Sequence, residues 1–147
     1  MSKETEDAYR DTNYVVPLPD KHILLRVDEA SEEIKQLMSS ATAQGAVFMT
    51  AHNPFGEFLT GDENTAANMV LQTDLEASFP NVLPCYGVSH DEVFREESFL
   101  VFPIDRAAAI ELCCRYDQNA VLFIGEEGVP ELLLHPELCV ESMALGI

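Results

Sequence analysis

Apolar positions along the chain follow two periods. Runs with strand character, rich in β-branched and aromatic residues and bounded by Gly, Pro, Asn or acidic clusters, are HILLRV (22–27), AVFMTA (46–51), NVLPCYGV (81–88), SFLVFPI (98–104), QNAVLFIG (118–125) and VPELLL (129–134). Helical spacing fills the gaps. Ile34, Leu37, Met38 and Ala41 fall at i, i+3, i+4 and i+7 and predict one core-facing stripe, with Ser31 as the cap and Glu32 and Glu33 in the first turn. Thr60-Gly-Asp-Glu63 has the form of a capping box and opens a helix of about 61–78 that ends near Phe79-Pro80. Asp105 is placed to cap RAAAIELCCRYD, whose buried stripe is Ala108, Ala109, Leu112, Cys113 and Tyr116.

From residue 46 the order is strand, helix, strand, strand, helix, strand, the split arrangement of ferredoxin-like sheets. The expected fold is therefore α+β: a mixed, mostly antiparallel sheet with a ferredoxin-like βαββαβ core, an added N-terminal strand and helix, and a C-terminal hairpin strand turned by Glu126-Glu127-Gly128. Residues 1–20 read as a polar tail and 21–147 as one α+β domain. FLVFPI and AVLFI lack the alternation of a sheet wet on one side, so something should cover both faces, either the first helix or a second subunit.

Composition narrows the class. Eight Lys and Arg stand against 26 Asp and Glu, a formal charge of -18, and no basic residue lies between Lys35 and Arg95 or after Arg115. Neutralising phosphates needs clustered Lys and Arg, so direct nucleic-acid binding and anionic membrane surfaces are disfavoured. No long uncharged apolar run suggests a membrane span, and MSKETEDAYRDTNY has no secretory core, so the expected location is the cytoplasm. Cys85, Cys113, Cys114 and Cys139 show no CxxC spacing and read as reduced, mostly buried thiols. Neither a metal nor a cofactor is expected: His52, Glu57, His90, Asp91 and Glu92 fit no ligand pattern, and GxGxxG, GxxxxGK[ST] and GxSxG are absent.

The polar signal lies where AVFMTA runs into Asn53-Pro54. Asn64, Asn68, Leu71 and Leu75 share one face of the next helix, so two asparagines extend its core stripe toward the strand end that carries Thr50, His52 and Asn53. A helix N-terminus beside a strand end can make a pocket for a carboxylate, a phosphate or an amide; alternatively, the asparagines satisfy backbone groups of the turn. Glu97, just before an apolar strand, is a candidate acid or base if partly buried. Thr50-Ala51-His52-Asn53-Pro54, Glu63-Asn64 with Asn68, Glu97-Ser98-Phe99-Leu100-Val101 and Gln118-Asn119-Ala120-Val121 together resemble the bacterial family called domain of unknown function 3293, over about residues 45–134. That resemblance brings no established activity, cofactor or catalytic residue; it implies that the asparagines and Gln118 belong to one site or one structural network.

Candidate binding residues are thus Thr50, His52, Asn53, Asn64, Asn68, Glu97, Gln118 and Asn119. Three functions fit. The first is a non-catalytic binding or regulatory module for a small polar ligand or a protein. The second is an acidic, DNA-mimic-like inhibitor of a basic nucleic-acid-binding protein, for which the charge would steer association. The third is a small enzyme acting on a polar metabolite, with Glu97 or His52 as acid-base group. Cys85 with His90 lacks a third group to orient the imidazole.

Overall fold

The computed structural model describes residues 2–137. Seven strands form one sheet, β1 (Asn13–Pro17), β2 (His22–Leu25), β3 (Ala46–Met49), β4 (Asn81–Val88), β5 (Arg95–Phe102), β6 (Ala120–Ile124) and β7 (Pro130–Leu134), in the order β2-β1-β4-β5-β3-β6-β7. Helices α1 (Lys3–Asp11), α2 (Glu32–Ser40), α3 (Gly61–Ser78) and α4 (Arg106–Arg115) complete an α+β fold. The expected mixed sheet is corrected in one respect: every strand pairing among the described residues is antiparallel.

Strand alternation builds two cores. Ala46 and Phe48, Leu100 and Phe102, and Leu122 and Ile124 face one side with Ile34 and Met38 of α2. Val47 and Met49, Phe99 and Val101, and Val121 and Phe123 face the other with Leu71 and Leu75 of α3 and Ala109, Leu112 and Cys113 of α4. The continuous apolar runs are explained by this cover: α2, the first helix of the sequence reading, lies over one face and α3 with α4 over the other. The expected caps are present, Ser31 accepting from Ile34 N at 3.2 Å, Asp105 from Ala108 N at 2.8 Å, and Thr60 and Glu63 closing a full capping box.

The segment expected as a polar tail holds a helix and a strand, α1 and β1. Ser2 caps α1 by accepting from Thr5 N, Glu4 and Glu6 occupy its first turn and Arg10 its last, so capping and dipole complementarity define the helix. No α1 residue is fully buried, which is why no apolar stripe announced it. Tyr14, Val15 and Val16 then enter the sheet as β1, between β2 and β4. Pro84 sits in β4 without breaking it: the β1 pairing stops at Val15↔Tyr86, so its missing N–H lies beyond that ladder.

Candidate functional site

The ends of β3, β5 and β6 meet at one rim of the sheet, and the Asn-Pro corner is stitched to it by side-chain amides. The β3–β5 register runs through Met49↔Phe99, and continued by two residues it would set Ala51 opposite Glu97. The strands separate there, and Asn68 fills the gap. Its Oδ1 accepts from Ala51 N at 2.8 Å and its Nδ2 donates to the Glu97 carbonyl at 2.7 Å, so one amide replaces a missing rung. The Thr50 hydroxyl donates to that same carbonyl at 2.8 Å and accepts from His52 N at 3.1 Å.

One turn earlier on α3, Asn64 accepts from Asn53 N at 2.9 Å and donates to Asn53 Oδ1 at 3.0 Å, an oxygen that also takes Leu59 N at 3.0 Å. Gln118 holds the far side by donating to the carbonyls of His52 at 3.1 Å and Tyr116 at 3.3 Å. Asn64 and Asn68 are 9% and 7% exposed, and no buried side-chain nitrogen or oxygen among the described residues lacks a partner. Each of the Asn64 and Asn68 amide atoms has a partner within the fold, as expected where an unpaired buried amide costs ~1–3 kcal/mol.

The corner they hold is strained. Asn53, Phe55 and Gly56 have φ of 47°, 52° and 76°; asparagine and glycine tolerate the left-handed region, whereas phenylalanine rarely adopts it. Phe55 is fixed there by its N–H to the Asp117 carbonyl at 2.6 Å and by edge contact with the buried His135 ring, centroids 5.0 Å apart.

Beside this corner, on the α2 face of the sheet, lies a cavity of about 760 Å³. Tyr9 of α1, Tyr14 of β1 and Phe48 of β3 give it an apolar wall, Glu96 and Ser98 of β5 its polar floor, and His52, Asn53 and Asn119 its edge at the corner. Phe58 and Phe94, 87% and 67% exposed, also line it. The Tyr14 hydroxyl donates to the Tyr9 carbonyl at 3.1 Å, which ties α1 to β1. Burial pushes both phenols well above their ordinary value.

The carboxylates divide differently from expectation. Glu97 contributes its backbone; its side chain is exposed and paired with Arg95 at 2.7 Å. Glu96, one residue earlier, faces the cavity, where burial raises its pKa and a hydrogen bond from the Asn53 side chain partly opposes the rise. Asn53 can do both jobs, since its oxygen serves Leu59 and Asn64 while its nitrogen remains for Glu96. The half-buried His52 ring is lowered by burial, against the charge of Glu97. Strand parity could have singled out Glu96, since 96, 98, 100 and 102 share one face of β5. Without α1 in the reading, nothing covered that position.

The expected set is therefore largely gathered: Thr50, His52, Asn53, Asn64, Asn68 and Gln118 form one network, Asn119 lines the cavity beside it, and Glu97 joins only through its carbonyl. Cys85 is buried in the core and its thiol pKa pushed well above normal, which leaves it unsuited to nucleophilic work; Cys139 lies outside the described residues. Among the described residues no three His, Cys, Asp or Glu side chains gather as a metal site, and no helix is long and apolar enough to cross a membrane.

Residues 49–121 match the family model described as Protein of unknown function (DUF3293). The chain resembles the DUF3293 family. The match is narrower than the 45–134 span expected from sequence and covers about half of the chain, but it includes Thr50, Asn53, Asn64, Asn68 and Gln118, the DUF3293-like part being the stitched corner with α3, β4, β5 and α4. No curated protein and no solved structure matches the chain.

Proposed function

We propose that the protein is a non-catalytic binding module whose ligand site is the cavity between α1 and the Asn-Pro corner. The observation that carries this reading is a space of about 760 Å³ bounded by aromatic rings and one half-buried carboxyl, next to a corner that Asn64 and Gln118 hold in a strained conformation. Ligand sites are commonly concave and mostly apolar, with a few converging polar groups, and of this size. The asparagines shape the site, while Glu96, Asn119 and the tyrosines offer contacts to a ligand. A catalytic role finds less support, because Glu97, the expected acid-base group, is exposed and ion-paired.

A fragment screen read by amide chemical shifts tests this reading. Shifts concentrated at Tyr9, Asn53, Glu96 and Ala120 are expected; a broad panel of polar and aromatic fragments that moves none of them overturns it. The same reading takes β3, α3, β4, β5, α4 and β6 as a ferredoxin-like unit, supported by the order β4-β5-β3-β6 with antiparallel neighbours. A cytoplasmic setting goes with it, supported by three free cysteines among the described residues.

A second reading, an acidic inhibitor occupying the nucleic-acid site of a basic protein, draws on the charge of -18. Competition with a DNA duplex for a basic DNA-binding protein tests it. Displacement that weakens steeply toward ~0.5 M salt supports it, and no displacement at low salt removes it.

A further inference from the structure

Two carboxylates line the cavity, against one guanidinium and the imidazoles of His52 and His90. Glu96 lies on its floor and Asp11 on its α1 side, both among the residues that line it. The one guanidinium among the lining residues, that of Arg95, is engaged by Glu97 at 2.7 Å and stacked over the Tyr86 ring at 3.7 Å. His52 is held toward its neutral form by burial. Tyr9 and Tyr14 are neutral phenols whose rings flank the carboxyl, and Phe48 packs edge-on against Tyr14 at 5.2 Å. No ion pair among the described residues involves Glu96, and the Asn53 side chain beside it is uncharged.

We propose that the cavity binds a small organic cation, an ammonium or amidinium on an aromatic or alkyl body, with its charge against Glu96 and its body among Tyr9, Tyr14, Phe48 and Phe58. This deepens the binding-module reading and rests on it. A carboxylate drawn out of water without a counter-charge is a costly arrangement that a cationic ligand relieves, through a charge-assisted hydrogen bond stronger than a neutral one. The aromatic walls suit a cation as well as an apolar body, because ring faces attract positive charge. The surplus of 18 negative charges over the molecule raises the local concentration of cations and opposes anions.

Benzamidine, benzamide and benzoate have nearly the same shape and carry positive, zero and negative charge, so titration of the three by calorimetry and amide chemical shifts isolates the charge. Benzamidine is expected to shift Asn53, Glu96 and Ala120 and to bind at least about tenfold more tightly than benzamide, with benzoate weaker still. In Glu96→Gln the benzamidine advantage should vanish, while Glu111→Gln, on the exposed face of α4, removes the same net charge elsewhere and should preserve it. Benzamide or benzoate binding as well as benzamidine would overturn the cation proposal and leave the cavity reading intact. An equal loss in both variants would likewise reduce the preference to a long-range effect and overturn the role of Glu96. If none of the three probes, nor any fragment, shifts a cavity residue, both readings fall.

Discussion

Asn68 bridges a donor and an acceptor that the splayed strands leave apart. Asn68→Ala should destabilise by roughly 1–3 kcal/mol in denaturant unfolding, as the buried Ala51 N–H loses its partner while the Glu97 carbonyl keeps the Thr50 hydroxyl. Asn68→Asp separates the two halves of the bridge: one oxygen can still accept from Ala51 N, whereas the other faces the Glu97 carbonyl as a second acceptor. Its deficit relative to the native chain should shrink as the pH falls and the introduced carboxyl becomes able to donate, which melts across the acid range would reveal. Glu96 presents the opposite case, since burial raises its folded-state pKa above the unfolded value. Such a group favours folding fully below the unfolded pKa, and that contribution is lost as the pH rises through the folded pKa. Around it stand the Tyr9 and Tyr14 phenols, neutral throughout this window, and the Asn53 amide. Glu96→Gln should therefore melt higher than the native chain near neutrality, with the gain disappearing below about pH 4; a variant that melts lower at neutral pH would mean that the carboxylate is already compensated there.

Elements with their own periodicity or cap were legible in the sequence, and those defined by context were not. The stripe of α2, the capping box of α3 and the Asp105 cap of α4 are local signals that the fold keeps, as are the six strands read from apolar runs. α1 buries no residue, and the buried part of β1 is only Tyr14, Val15 and Val16 between Asn13 and Pro17, so neither shows above the polar composition around them. This carries into the site: a polar tail over residues 1–20 leaves the cavity without its α1 wall, and with it the burial that distinguishes Glu96 from Glu97. The asparagine face was legible because period and residue type coincided, but helical spacing alone could not decide whether those amides face a ligand or the backbone; the answer came from where β3 and β5 part. The turn before β7 gives a further test at this scale. Gly128, at φ +75°, brings its backbone against α2, with Ser31 N donating to its carbonyl at 2.9 Å, and an added Cβ would lie 2.7 Å from the Ser31 oxygen. Gly128→Ala should cost about 1–3 kcal/mol from strain and displacement of α2. Gly125→Ala in the same turn meets nothing closer than 3.8 Å and should stay within about 0.5 kcal/mol, so equal losses by denaturant unfolding would show that α2 is not seated by this contact.

Over the whole molecule the charge is distributed so that ion pairs do little to offset it. Arg10, Lys21, Arg26, Arg95 and Arg106 have acidic partners, all with substantially exposed side chains, and exposed pairs of this kind contribute ~0–1 kcal/mol each. Most of the 26 carboxylates have no such partner among the described residues, so the folded state holds many like charges at close range and the unfolded chain relaxes by separating them. Two opposing effects of salt can then be ranked: screening weakens the few pairs, but it weakens the repulsion among a net 18 negative charges more. Raising sodium chloride from about 0.01 M to about 1 M shortens the Debye length from ~30 Å to ~3 Å and should raise Tm by several degrees, most of it below about 0.2 M, where screening changes fastest on the scale of the molecule. Chloride separates this effect from the general stabilisation given by sulfate or phosphate. A Tm that falls over the same range would mean that the surface pairs outweigh the repulsion, and with it would go the expectation that this protein's field gathers cations at the mouth of its cavity.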